Sequence, residues 1–387
     1  MAGQVYFTSM RTGYHNSLLT KIDRLVLAAG LEDIVRKGGL SAVKLHFGER
    51  GGTAFIRPVL VRPVVDALIR AGAKPFLTDT GTLYVGSRGN SVDHLNTAIL
   101  NGFAYPVAGA PLIIADGLDG SDEVPVEVNL KHFKEVLIAS AIAHADCLVS
   151  LAHFKLHDGA GFGGAIKNIG MGSASRRGKM AQHSEVAPKI VYKKCIGCGL
   201  CVEQCAHGAI SIVERPAGVS APSAAAGKVV QIDRKLCVGC AQCIHACSQG
   251  ALTIQWDSDF SKLMEKIAEY AAGALKGKEK RSLFINFMTQ ISPACDCYPF
   301  SDAPIVGDIG IAASRDPVAL DQACVDLLNK SPHLQSSCLK GESHYPDKIR
   351  AVYPKLDWER QLIHAEQAGL GSRDYELIEI EGKSSRA

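Results

Sequence analysis

Two hydrophobic periods alternate along the chain, one near 2 and one near 3.6 residues. Ser41-Ala-Val-Lys-Leu-His-Phe reads as a strand ending at Gly48. Arg57 to Ala71 then places Val61, Val64, Val65, Leu68 and Ile69 at helical spacing, with Pro58 suited to a first turn. Lys74-Pro-Phe-Leu-Thr-Asp-Thr predicts a second strand, Ser91 to Leu100 a helix, and Leu112-Ile-Ile-Ala-Asp a third strand. Val136 to Ala145 predicts a helix and Cys147-Leu-Val-Ser-Leu a buried strand. Farther on, Phe260 to Leu275 is helical in spacing. Leu283-Phe-Ile-Asn-Phe and Gly307-Asp-Ile-Gly-Ile-Ala-Ala read as strands. Pro317 to Leu328 predicts a helix with Asp316 as its N-cap. Alternating strands and helices predict an α/β fold, a mainly parallel sheet covered by helices.

Residues 192–256 follow a different rule. Lys194-Cys-Ile-Gly-Cys-Gly-Leu-Cys repeats as Leu236-Cys-Val-Gly-Cys-Ala-Gln-Cys at an offset of 42, and Ala209-Ile-Ser-Ile aligns with Ala251-Leu-Thr-Ile. Each half is a cysteine loop followed by a short apolar strand. Arg215 to Lys228, rich in Pro, Ala and Ser, predicts an exposed linker between the halves. Both quartets, Cys195, Cys198, Cys201, Cys205 and Cys237, Cys240, Cys243, Cys247, read C-x2-C-x2-C-x3-C. That is the spacing of bacterial ferredoxins with two 4Fe–4S clusters, in which the last cysteine of each run ligates the other cluster. The predicted ligand sets are therefore Cys195, Cys198, Cys201 and Cys247 for one cluster, and Cys237, Cys240, Cys243 and Cys205 for the second.

Zinc sites use pairs of cysteines rather than triple runs, so the two quartets favour clusters over zinc. Gly197 and Gly239 fall where each loop must turn tightly. Ala206 and Ser248 stand where such ferredoxins usually carry proline, which leaves ligation intact. His207 and His245 lie beside the ligands and are expected at the surface. The domain division that follows is an α/β body of residues 1–190 and 258–387, interrupted at 191–257 by an inserted α+β two-cluster ferredoxin-like domain.

Composition narrows the class. The 387 residues are 47% hydrophobic and 21% charged, as in a soluble globular protein. A net charge of +3 is too small for a nucleic-acid footprint, so no nucleic-acid partner is expected. The longest apolar run, Val136 to Leu151, is cut by His144 and Asp146, so no membrane span is expected. Met1-Ala-Gly-Gln-Val-Tyr-Phe lacks the basic and apolar segments of a signal peptide. Thirteen cysteines in tight runs within a long chain fit metal thiolates in a reducing cytoplasm, and a cytoplasmic location is expected.

Polar groups gather where strands are predicted to end, which is where parallel α/β sheets bind ligands. Lys44 and His46 lie two apart at the first such end, before Gly48-Glu49-Arg50-Gly51-Gly52. Thr78, Asp79 and Thr80 close the second strand and Asp116 the third. His153, Lys155 and His157 follow the strand at 147–151 and share a face if that segment is extended. Asp158 to Gly172 is a glycine-rich loop carrying Lys167 and Asn168. Glycines expose backbone N–H groups to anions, and Lys44, Lys155 and Lys167 add positive charge. Together these residues predict a pocket for a small anionic substrate. The loop is neither a P-loop nor a Rossmann fingerprint, because Asn168 follows Lys167.

Cys295-Asp296-Cys297 is a separate C-x-C pair near the strand at 283–287. Two such thiols can chelate a soft metal, attack an electrophile or cycle as a dithiol. With His153 or His157 they predict one additional metal ion. Cys147, Cys324 and Cys338 are expected to be buried structural thiols.

Lys44-Leu-His-Phe-Gly-Glu, Ala152-His-Phe-Lys-Leu-His, Gly161-Phe-Gly-Gly-Ala-Ile-Lys-Asn-Ile-Gly-Met-Gly, Ser292-Pro-Ala-Cys-Asp-Cys and Asp308-Ile-Gly…Asp316-Pro-Val-Ala-Leu-Asp321 occur in this order. Over about residues 4–330 the chain thereby resembles the domain-of-unknown-function 362 proteins, iron–sulfur centre proteins with a ferredoxin-like insertion. The resemblance implies a cluster-bearing α/β protein of bacteria or archaea and implies no reaction.

Two functions remain. One is an oxidoreductase passing electrons between a redox partner protein, the clusters and the strand-end pocket, with Lys44, His46, Asp79, His153, Lys155, His157, Lys167, Asn168, Cys295 and Cys297 as its residues. The other is a non-enzymatic electron carrier or metallocentre-delivery protein.

Overall fold

Strands from both ends of the chain meet in one sheet. The computed structural model describes residues 2–84, 86–183, 188–205, 207–220, 222, 227–237, 242–253, 260–340 and 345–380. The main sheet contains β1 (Gly3–Ser9), β2 (Leu40–Lys44), β3 (Lys74–Asp79), β4 (Leu112–Ile114), β5 (Cys147–His153), β6 (Ser282–Met288), β7 (Gly310–Ser314) and β8 (Tyr375–Glu379). Their order is β8-β1-β7-β6-β5-β2-β3-β4. β7 runs antiparallel to β1 and β6, and every other neighbouring pair is parallel. The fold is α/β with a mixed, mainly parallel sheet.

Every residue of β5 and β6 is buried, the mark of strands covered on both faces. Alternation sends their side chains into two cores. Val149, Leu151, Leu283, Ile285 and Phe287 join the core against helices Leu18–Ala28 and Arg62–Arg70. Leu148, Phe284 and Met288 join the opposite core against helices Phe260–Leu275 and Pro317–Lys330. Each such Leu, Ile or Phe contributes about 1.5–3 kcal/mol by leaving water. Among the described residues, no helix is long and apolar enough to cross a membrane.

Two aspartates of one helix fix its surroundings. The Asp316 carboxylate accepts from Val318 N and Ala319 N, both at 2.9 Å, and starts helix Pro317–Lys330. Asp321, one turn inside it, accepts from Ala165 N at 2.7 Å and Ile166 N at 2.9 Å, satisfying the first turn of helix Ala165–Gly170. Asn286 on β6 donates to the same carboxylate at 2.7 Å. Gly164 permits this approach, since a Cβ there would lie 2.2 Å from Asp321 Oδ1. The helix held this way carries Lys167 and Asn168.

The cysteine region adds two small sheets. Ile210–Glu214 pairs with Lys228–Ile232, and Lys189–Ile190 pairs with Leu252–Thr253, both antiparallel. The segment expected as a linker is thus the connection of a hairpin, whose second strand the pattern had not predicted. Gly197 has φ +66°, and a Cβ there would lie 2.8 Å from Lys228 O, so the loop requires glycine. Gly239, Cys240 and the His245 side chain lie outside the described residues, whereas His207 is exposed.

Several boundaries differ from the sequence expectation. Val136 to Ala145 is not one helix. Glu135–Ala139 is a strand paired with Glu123–Glu127, and only Ser140–Ala143 is helical. An apolar run this short has no periodicity that separates strand from helix, and the hairpin partner decides. β2 ends at Lys44, so His46 lies beyond the strand. β4 ends at Ile114, ahead of Asp116, and β7 begins at Gly310 rather than Gly307. Cys147 and Cys324 are buried, whereas Cys338 is exposed.

Replacing Asp321 with Ala is expected to destabilise the protein by about 2–4 kcal/mol in urea unfolding, because three buried donors lose their acceptor. A loss below about 0.5 kcal/mol would show that water replaces the carboxylate at no cost.

Candidate functional site

The C-terminal ends of β2, β3, β5 and β6 carry a layered polar site. Its deepest layer is a charge pair sealed from water. Lys44 Nζ lies 2.9 Å from Asp79 Oδ1 and donates to Asn168 Oδ1 at 3.0 Å. The Asn168 amide donates in turn to Lys44 O at 3.0 Å and Ser150 Oγ at 2.8 Å. Burial lowers the Lys44 pKa despite Asp79. Burial also opposes ionisation of Asp79, but Lys44 and His94 outweigh it and hold the carboxyl well below its usual range.

Arg88 extends this layer sideways. Its guanidinium reaches Asp79 Oδ2 at 3.3 Å and Glu49 Oε2 at 3.2 Å, and donates to the Tyr84 hydroxyl. Glu49 also accepts from Ser87 N at 2.8 Å. On the other side, buried Lys179 donates to Ala174 O at 2.7 Å and to the Thr80 hydroxyl. Burial lowers its pKa to about 8, against the pull of Asp116 and Asp79. Asp116 takes both of its contacts from Gly81 N, at 2.9 and 3.0 Å.

The second layer centres on Asp296, the middle residue of the C-x-C pair. Its buried carboxylate accepts from His153 Nδ1 at 2.9 Å and lies 2.9 Å from Lys155 Nζ. His153 Nε2 meets Thr289 O at 2.8 Å, so both ring nitrogens are committed. Burial raises the Asp296 pKa, but His153 and Lys155 more than offset it, and the carboxyl stays ionised well below its ordinary range. Burial likewise opposes the Lys155 charge, and Asp296 and Cys295 reverse that effect. His46 sits among Arg88, Asp79, Asp296 and Lys155, and burial together with Arg88 drives its pKa well below the usual value. Its Nδ1 accepts from Gly48 N at 2.9 Å, which leaves Nε2 for the site.

The outermost layer holds the thiols. Lys155–His157 and Gly161–Gly163 form a hairpin that turns Lys155 toward Asp296 and His157 toward the thiols. Cys295 Sγ, Cys297 Sγ and a ring nitrogen of His157 lie within 4.8 Å of one another, near enough to share one metal ion. Cys295 is buried and Cys297 half-buried. The two thiols share one proton. Hydrogen bonding from Cys297 and His157 and the charge of Lys167 hold Cys295 as the thiolate, while Cys297 keeps the proton. Lys167 has no hydrogen-bond partner among the described residues.

Thus His153, Lys155 and His157 all turn toward one loop, Lys44, Asp79 and Asn168 underlie it, and His46 and Lys167 flank it. Sequence reasoning missed Arg88, Glu49, Tyr84 and Asp296. Asp296 carried a local signal, its place between two cysteines, and Glu49 stood in the glycine run after β2.

Near this site lie the cysteines of the repeat. Cys195, Cys201 and Cys243 are buried in an apolar cluster with Ile210, Val230, Ile244 and Leu252, against which Cys205 and Cys247 pack. Burial and the sulfurs of Cys247, Cys198 and Cys195 raise the Cys201 pKa to about 11. Cys205 Sγ accepts from Ala209 N at 3.3 Å and Cys247 Sγ from Ala251 N at 3.2 Å, so the repeat is preserved in hydrogen bonding. Cys198 is exposed and Cys237 half-buried. Leu83 and Met180 of the body belong to this cluster. Tyr84, next to Leu83, feels the charges of Cys297 and Cys295.

Residues 42–326 match the family described as Domain of unknown function (DUF362). No curated protein matches the chain. Among solved structures, the chain is similar to the lactate racemase apoprotein from Thermoanaerobacterium thermosaccharolyticum. Identity is 18% and the TM-score 0.32, over 46% of this chain and 40% of that one.

Two measurements probe the buried layer. Asp79→Asn strands Lys44 and leaves Arg88 with Glu49 as its carboxylate partner, and is expected to cost about 3–5 kcal/mol in urea unfolding. Lys44→Met should cost less, since Arg88 still neutralises Asp79; equal losses would contradict this arrangement. For Lys179, the folded pKa of about 8 lies below the unfolded ~10.4. The unfolded state therefore binds more protons in that interval, and this group adds stability as pH rises from about 8 to 10, by up to ~1.4 kcal/mol per pH unit. The wild-type minus Lys179→Met difference should show this slope, and a flat difference would rule it out.

Proposed function

The chain belongs to the DUF362 family, and from that premise we propose that it is an iron–sulfur oxidoreductase. Two 4Fe–4S clusters in an inserted two-cluster ferredoxin-like domain, residues 191–257, would exchange electrons with a redox partner protein and with the strand-end site. That site takes a small anionic substrate.

One observation carries the reading. Thiols from both halves of the repeat converge on Cys201, which neighbours Cys195, Cys198 and Cys247. Converging thiols raise one another's pKa because their thiolates repel, and a soft cationic centre removes that penalty. The residues therefore fit a cluster held by Cys195, Cys198, Cys201 and Cys247. Cys205, Cys237, Cys240 and Cys243 make the second set, of which Cys240 lies outside the described residues. Bound there, the clusters supply single electrons at potentials set by their surroundings.

The chain's own residues would do the rest. Lys167, His46 and Lys155 attract and orient an anion. Lys44, Asp79, Asn168, His153 and Asp296 position that layer, since each is committed to protein partners. His46 Nε2 and the shared thiol proton are the groups able to move a proton. A non-enzymatic electron carrier or metallocentre-delivery protein needs no such convergence, which favours the enzyme.

Crossed ligation makes a specific forecast. Anaerobically purified protein should hold about eight iron and eight sulfide per chain. Cys201→Ser and Cys247→Ser should each weaken the same electron paramagnetic resonance signal, and Cys205→Ser the other. If Cys205 and Cys201 instead affected one signal, the quartets would ligate uncrossed.

A further inference from the structure

His157, Cys295 and Cys297 offer three soft donors at one point, and a metal ion is the simplest occupant. The His157 ring argues against it. Its Nδ1 accepts from Gly159 N at 3.0 Å and from Ala160 N at 3.1 Å. A neutral ring held this way carries its proton on Nε2. Metal-bound histidines show the reverse arrangement, with the second nitrogen donating to a carboxylate or carbonyl. Here the nitrogen left for the sulfurs is a donor, suited to a thiolate and not to a cation. Lys167, with no partner among the described residues, adds a positive charge beside the same sulfurs. His153 cannot substitute as a ligand, because Asp296 and Thr289 O occupy both its nitrogens.

We propose that Cys295 and Cys297 form a reversible dithiol–disulfide couple, the two-electron store of the strand-end site, with disulfides as the class of molecule it reduces. The proposal deepens the redox reading above. The loop is built to bring the sulfurs together: Asp296 is pinned by His153 and Lys155, its carbonyl accepts from Glu49 N at 3.2 Å, and Cys297 N lies 3.5 Å from Cys295 Sγ. A change of side-chain rotamer closes the bond.

The chemistry balances as thiol–disulfide exchange. Half-buried Cys297 is the sulfur a disulfide RSSR can reach. It attacks one sulfur as its proton passes to the Cys295 thiolate beside it, the S–S bond breaks, and that proton leaves with the first RSH. The Cys295 thiolate then attacks Cys297 Sγ and expels the second thiol as RS⁻. Two electrons pass from the cysteine pair to RSSR, and the pair ends as a disulfide. Two electrons and one proton, from a thiol donor or from reduced clusters, restore the starting pair.

The test uses the anaerobic holoprotein equilibrated in glutathione redox buffers, quenched by alkylation and read by peptide mass. The peptide containing Cys295 and Cys297 should pass from two alkyl groups to none, without retained glutathione, on a two-electron Nernst curve. His157→Asn and Lys167→Met remove stabilisation of the reduced form. Each should favour the disulfide by about tenfold, a shift of about 30 mV toward more negative potential. Cys297→Ser, which cannot form the ring, should leave Cys295 unable to close and the urea midpoint unchanged.

A mixed disulfide that persists on wild-type Cys297 would overturn the proposal. So would thiols that resist alkylation until a chelator removes zinc or iron. Acid-labile sulfide measured on the same samples separates the two claims. Sulfide without cycling sinks the couple alone, and cycling without sulfide sinks the clusters alone.

Discussion

A carboxylate buried between two cysteines governs this site. Asp296 has left water, and His153 and Lys155 keep it charged in the interior. Because Asp296 is the middle residue of the C-x-C loop, the bonds that satisfy it also fix where Cys295 and Cys297 point. His153 ends β5 and Lys155 opens the next hairpin, so the central strand of the sheet sets the position of the thiols. The same hairpin carries His157 one alternation farther, against the sulfurs. Loss of the Asp296 contacts would free the loop and strand the buried charges of Asp296 and Lys155.

Beneath that loop the same logic repeats with different partners. Lys44 and Asp79 neutralise each other, Asn168 satisfies the remaining donors, and Arg88 ties Asp79 to Glu49. Asp321 holds the helix that supplies Asn168 and Lys167, and Asn286 on β6 holds Asp321. Buried ionic networks of this size are weak sources of stability, since desolvation offsets most of the attraction. Their presence at the ends of adjacent parallel strands is better explained by a need to hold charge in fixed places, which the proposed reaction would use.

The parts legible in the sequence were those with local causes. Ser91–Leu100 and Phe260–Leu275 follow from helical spacing, and Pro317–Lys330 from a capping aspartate before proline. The glycine-rich loop, the histidines after β5 and the C-x-C pair announced a site by residue type. Arg88 did not, because an arginine reads as a surface charge until Glu49, 39 residues earlier, and Asp79 are folded against it. Nothing in His153-Phe-Lys-Leu-His spacing could say which imidazole would serve the carboxylate and which the thiols. Val136 to Ala145 misled for a related reason, since its strand half depends on a hairpin partner. β8 went unforeseen because Tyr375–Glu379 is short, half-buried and paired only with β1.

The repeat cysteines and the thiol site are neighbours through Leu83 and Tyr84, consecutive residues that face one and the other. That adjacency joins the two halves of the account, the proposed pair of one-electron centres and the proposed two-electron dithiol. An anaerobic crystal structure with anomalous maps at the iron and zinc edges tests it most directly. The account predicts iron at both repeat quartets, arranged as two cubanes, and no metal between His157, Cys295 and Cys297. Zinc in the quartets, or iron confined to the C-x-C site, would contradict it.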